Sequence, residues 1–126
     1  VANEATIRSS LTIKKGNIDF ASRPGSFQAD VSGTNGPTPG AIAVATAGTD
    51  VDLSELTTPG LCNIKNLDST NYVEYGIWDG ATFHELGEIQ AGEDYTIRLS
   101  RNFTSTSLRL KANTAAVKVV VSCFEA

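Results

Sequence analysis

The sequence predicts an all-β fold, a single antiparallel β-sandwich of jelly-roll-like form with about eight to ten short strands. Three observations carry this. Apolar and polar residues alternate with period two through much of the chain, the pattern of half-buried strands. Clusters of Gly, Asn, Asp and Pro interrupt the alternation at short intervals, as turns do. No segment of useful length repeats its apolar residues with the 3.6 period of a helix.

The elements follow in order. Ile7, Ser9, Leu11 and Ile13 share one face of an extended segment, and Thr6, Arg8, Ser10, Thr12 and Lys14 the other. Lys15-Gly16 turns the chain into a short strand at residues 17–20, and Phe27, Ala29 and Val31 alternate in a third. Ser32 to Gly40 reads SGTNGPTPG. Asn-Gly suits positive φ and the two prolines remove donors, so a projecting loop is expected there. The small apolar run AIAVATA at residues 41–47 suits a buried strand, and VDLSEL at 51–56 is the best helical candidate, one turn at most, ended by Thr57-Thr58-Pro59-Gly60. Strands are then expected at 61–66, 72–78, 82–86, 94–99, 107–111 and 116–124. Asp79-Gly80 between Trp78 and Phe83 is a tight-hairpin signal. The expected core takes Leu11, Ile13, Ile64, Val73, Ile97, Leu99, Leu108, Leu110, Val117, Val119 and Val121. The reading is one domain over 1–126, with an N-terminal arm at 1–6.

Composition narrows the functional classes. At 126 residues the chain has the size of one ordinary domain. Hydrophobic residues make up 40%, enough for a core, so composition does not point to disorder. Fourteen acidic residues against ten basic give a net charge of −4, which argues against a nucleic-acid grip. No apolar run approaches the ~20 residues of a membrane helix. The opening Val1-Ala2-Asn3 lacks both an initiator Met and a charged-then-apolar leader pattern. It raises the expectation of a chain made in the cytosol from which only Met was removed.

No chemistry announces itself. His84 is the one histidine. Alternation puts Glu85 on the opposite face, so His84 reads as a strand histidine without an orienting partner. With one His and two Cys a zinc site is nearly excluded. Cys62 and Cys123 sit in apolar strands and read as free buried thiols, pairing being the alternative. Asp50, Asp52 and Glu55, and Asp68 with Asn66 and Asn71, are oxygen clusters that calcium would accept, but neither has the spacing of an EF-hand loop. Capping and turn roles are the plainer reading. Glu85, Glu88, Glu93 and Asp94 are the carboxylates a glycosidase would pair, and read better as solvated hairpin ends. Tyr72, Tyr75, Trp78 and Phe83 would make a sugar-stacking strip, except that Tyr75 has the opposite parity from Tyr72 and Trp78. Asn102-Phe103-Thr104 fits a glycosylation acceptor and stays idle without secretion. No catalytic residue, metal ligand or cofactor is expected.

One stretch reaches further. Asn66-Leu67-Asp68-Ser69-Thr70-Asn71-Tyr72-Val73-Glu74-Tyr75-Gly76 carries N-L-D-x-T-N-x-V-x-x-G, followed by residues 83–86, Ile89-Gln90-Ala91-Gly92-Glu93, and a tail from Leu108 to Val117. This layout resembles small β-sandwich virion proteins of tailed bacteriophages, especially head decoration (cement) proteins, over residues 60–124. The resemblance implies a non-enzymatic virion protein, made in the host cytoplasm, that sits on the outside of the capsid, binds the major capsid protein and stabilises the shell. It also implies a homo-oligomer, a trimer being favoured, with no nucleic-acid or membrane partner. Residues 1–59 do not carry it and leave open a carbohydrate- or receptor-binding module of a phage tail or fibre. The segments least needed by the core are the candidate partner contacts: Val1, Ala2, Asn3, Glu4 and Ala5 of the arm, and Asn35, Gly36, Pro37 and Pro39 of the loop.

Overall fold

The computed structural model of the chain describes residues 3–22, 25–100, 102–103 and 108–126. These residues form strands and no helix: β1 (Ala5–Arg8), β2 (Leu11–Lys15), β3 (Ile18–Ser22), β4 (Ser26–Ala29), β5 (Thr38–Val44), β6 (Thr49–Asp50), β7 (Pro59–Asn66), β8 (Val73–Trp78), β9 (Phe83–Ile89), β10 (Asp94–Arg98), β11 (Leu108–Ala112) and β12 (Val117–Glu125). The chain divides into two compact units, Val1–Ser32 and Gly33–Ala126.

The second unit is the sandwich. Its two four-stranded sheets run β10-β7-β12-β5 and β6-β11-β8-β9, with every described pairing antiparallel. From β5 to β12 each strand crosses to the other sheet, except at the β8–β9 hairpin. That ordering is a jelly roll, the double-sheet arrangement in which neighbours in the sheet are far apart in sequence. Alternation sets the faces. Val117, Val119, Val121 and Cys123 of β12 are buried while Lys118 is exposed, and Leu108, Leu110 and Ala112 answer them from the opposite sheet. One core joins both inner faces, with Ile97 and Leu99 partly buried against it.

Residues 51–56 are not helical. Val51, Leu53 and Leu56 are buried in the core while the segment turns tightly, the Leu56 amide donating to the Leu53 carbonyl at 3.0 Å. Six residues ahead of Thr-Thr-Pro-Gly are too few to repay helix nucleation, and three apolar side chains gain more by covering the core. The two cysteines are not free thiols. The β7–β12 register sets Cys62 directly opposite Cys123, with Cα atoms 4.1 Å apart, and the two form a disulfide. Nor does the proline segment project as a whole: Thr38, Pro39 and Gly40 belong to β5 and face Cys123, Ser122 and Val121. Because β5 is an edge strand, Pro39 can sit there without breaking an internal ladder.

The first unit is a β-ribbon. β1 pairs with β4 and, inside them, β2 pairs with β3. The long strand expected over 6–14 is broken at Ser9-Ser10 into β1 and β2. Leu11 and Ile13, expected in the core, are 54% and 42% exposed. Their alternation is real, but their own unit has no second layer to close over them, and none of its described residues is buried.

Candidate functional site

The ribbon is the most unusual surface. Cross-strand partners lie on one face. In the β2–β3 ladder Leu11 faces Ser22, Ile13 faces Phe20, and Lys15 faces Ile18. Between these pairs Thr12 faces Ala21 and Lys14 faces Asp19, on the other side. One face therefore gathers Leu11, Ile13, Ile18 and Phe20, exposed at 54%, 42%, 57% and 49%. In the β1–β4 ladder Ile7 faces Phe27, and Phe27 is 54% exposed. Among the described residues, five of the nine large exposed hydrophobics fall in this unit. Alternation in the sequence signals these faces, and for Leu11 and Ile13 it has the same form as a core pattern.

The expected contact residues lie as follows. Val1 and Ala2 fall outside the described residues. Ala5 opens β1 opposite Ala29. The Asn3 amide donates to Asp30 Oδ1 at 2.7 Å, and Glu4 Oε2 accepts from the Val31 amide at 3.1 Å. That last bond, the largest influence, holds the Glu4 carboxyl below its ordinary range. From Asn3 onward the arm is thus tied into the ribbon. Asn35, Gly36 and Pro37 are exposed and Pro39 is half-buried. Glu125 anchors this segment: its Oε2 accepts from the Thr57 amide at 2.9 Å and from Asn35 Nδ2 at 3.2 Å. Gly36 has φ +124°, and a Cβ there would sit 2.7 Å from the Cys123 carbonyl oxygen, so only glycine lets the chain pass this close to β12. The structure brings 35–39 against β12 of their own unit.

His84 does have a partner, Asp79 rather than Glu85. Its Nε2 lies 2.8 Å from Asp79 Oδ2, across the turn of the β8–β9 hairpin. Asp79 Oδ1 accepts the amides of Ala81 and Thr82 at 2.8 and 2.7 Å. His84 first, then those amides, lower the Asp79 carboxyl to about 2. The carboxylate is fully committed to holding the turn, and both side chains are about half exposed. Beyond Glu85 the strand parity breaks, since Leu86 is an extra residue between Glu85, opposite Gly76, and Gly87, opposite Tyr75. This bulge leaves Leu86 69% exposed on an edge strand that also carries Glu85 and Glu88, both features that discourage edge pairing.

The remaining clusters serve the fold. Asp50 accepts from Arg109 Nε at 2.7 Å, and the Arg109 guanidinium lies 3.7 Å from the centroid of the Trp78 ring, a cation–π contact. Tyr75 packs against the core instead, so the aromatic strip is divided. Asp52 receives the Ser54 amide. Asp68 Oδ2 takes the amides of Asn71 and Thr70 at 2.6 and 2.9 Å, which hold its carboxyl below the ordinary range. Asn66, 1% exposed, donates from Nδ2 to the carbonyls of Asn71 and Ile89 at 2.9 and 3.0 Å and accepts the Asp68 amide at 2.8 Å. The N-L-D-x-T-N motif is thus a hydrogen-bonded corner. Glu93 takes the Gln90 amide and the Tyr95 hydroxyl. Among the described residues no three His, Cys, Asp or Glu side chains are grouped to hold a metal ion, and no helix is long and apolar enough to cross a membrane.

No protein-family model, curated protein or solved structure matches the chain.

Proposed function

We propose that the chain is a non-enzymatic structural protein of a tailed-phage virion, a decoration or cement protein that attaches to the outside of the capsid and stabilises it. The observation that carries the reading is the pairing of a self-sufficient jelly roll with a ribbon whose apolar faces have no interior of their own. Such a chain is complete only in contact with other subunits. Contact is what a cement protein supplies, since anything that binds the assembled shell stabilises it by mass action. Jelly rolls serve in viral capsids and in lectins alike, so the fold is support by analogy only. The lectin-like alternative, a carbohydrate- or receptor-binding module of a tail or fibre, needs a free aromatic face. Trp78 offers little of one, because Arg109 already lies over its ring.

The test is co-sedimentation of the purified chain with phage heads stripped of accessory proteins. Saturable binding, together with a higher temperature of genome release, is expected. Heads that bind no chain at any concentration overturn the reading. Binding to glycans that is lost in Trp78→Ala would replace it with the alternative.

A further inference from the structure

We infer that the apolar face of the β2–β3 ladder is an assembly surface whose occupant is the same face of a second copy of this chain. A two-stranded ribbon is marginal by itself in water, and this one buries no described residue. Strands of this pattern are stabilised when a second apolar layer covers them, as in a sandwich.

Three features favour a second copy as that layer. The first is chemistry. The centre of the face, Leu11, Ile13 and Phe20, holds no charge; Lys15, opposite Ile18, is the one charge on this face of the ladder and sits at its end, while Lys14 and Asp19 point from the other side. Two such faces meeting antiparallel about a two-fold axis through this centre set apolar against apolar and keep the two Lys15 side chains at opposite ends, the condition for a self-complementary contact. The second is electrostatics. Residues 1–32 carry four basic and three acidic side chains, and residues 33–126 six and eleven. The sandwiches of two copies repel each other, and the nearly neutral ribbons are where copies can approach. The third is area. The exposed parts of Leu11, Ile13, Ile18 and Phe20 amount to on the order of 400 Å² of apolar surface, a large patch for a monomer. Doubled by symmetry and edged by Ser22 and Lys15, it falls below the ~1,200 Å² of standard interfaces, in the range of weak and transient contacts. The strands need not change partners, because the contact is face to face and each ladder keeps its hydrogen bonds.

This inference does not rest on the capsid reading. Sedimentation velocity of the full chain, from about 1 to 100 µM, brackets a micromolar contact. The expected result is a species of at least twice 13.3 kDa, with a concentration-dependent monomer fraction. Ile13→Lys and Phe20→Lys should each shift the association at least tenfold to higher concentration, with Trp78 fluorescence reporting an intact sandwich. Thr12→Lys, on the other face of the same strand, should associate like the parent. A flexible bismaleimide should join Ser22→Cys chains into covalent dimers and Ala21→Cys chains far less, since facing sheets pack ~10 Å apart, beyond the reach of a direct disulfide; this keeps the test independent of whether the lysine variants order their ribbons. A parent chain monomeric throughout, or equal cross-linking from positions 21 and 22, overturns the inference. A chain that associates as described but ignores phage heads sinks only the capsid reading, and a monomer that coats heads sinks only this one.

Discussion

Replacing Asn66 with Ala should cost about 3 kcal/mol, more than any other single polar truncation in the sandwich. Asn66 is 1% exposed and makes three side-chain hydrogen bonds, two donated to the Asn71 and Ile89 carbonyls and one accepted from the Asp68 amide. Each is worth about 1 kcal/mol net, and truncation adds a desolvation penalty because the three backbone groups lose their partner. About 3 kcal/mol is a large share of the ~5–15 kcal/mol that holds a domain together, and corresponds to a fall in melting temperature of roughly 10–20 °C. Urea unfolding followed by Trp78 fluorescence measures it, as a lower midpoint at unchanged slope. Asn66→Asp separates hydrogen bonding from packing. It keeps the volume but sets a carboxylate oxygen against two carbonyl oxygens, so the folded state favours the protonated form and raises the carboxyl pKa. Stability should then be best below the unfolded-state value and decline as pH rises through the folded one. An Ala variant within about 0.5 kcal/mol of the parent, the scatter of ordinary surface changes, would refute the reasoning. So would an Asp variant with no pH slope.

Gly76→Ala should destabilise by about 2 kcal/mol or more, because a Cβ there would come within 2.8 Å of the Glu85 Cα on β9, and backbone cannot step aside as a flexible side chain can; thermal unfolding checks it. The Cys62–Cys123 bond joins residues 61 apart in sequence, so on the chain-entropy account reduction should lower stability by about 4 kcal/mol. Thiol titration should find no reactive group until the protein is both reduced and unfolded. The Asp79 carboxyl is lowered to about 2 by His84 and two backbone amides. Its contribution is therefore fully present above the ordinary carboxyl value and is lost as pH falls through about 2. In urea midpoints measured from pH 5 to pH 2, Asp79→Asn should show a shallower acid decline than the parent.

Local patterns were enough to determine the β class and most strands. Val117 to Cys123 alternates so regularly that its buried face can be named from residue types alone, and Asp79-Gly80 marks its hairpin without help from the rest of the chain. Turn chemistry was legible too, since Asp68 and Asp79 hold local amides two and three residues on. What sequence could not supply was anything set by who lies beside whom. In a jelly roll β7 pairs with β12 across the length of the unit, so whether Cys62 meets Cys123 is a question of register, and spacing is silent on it. His84 meets Asp79 across the hairpin turn, a contact set by how the turn closes rather than by strand parity. The ribbon shows the boundary most plainly. Leu11 and Ile13 alternate just as Val119 and Val121 do, yet one pair is exposed and the other fully buried. Period two reveals that a strand has an apolar face. What covers that face depends on a second layer that the strand does not contain, and only the tertiary structure shows that the ribbon's own unit supplies none.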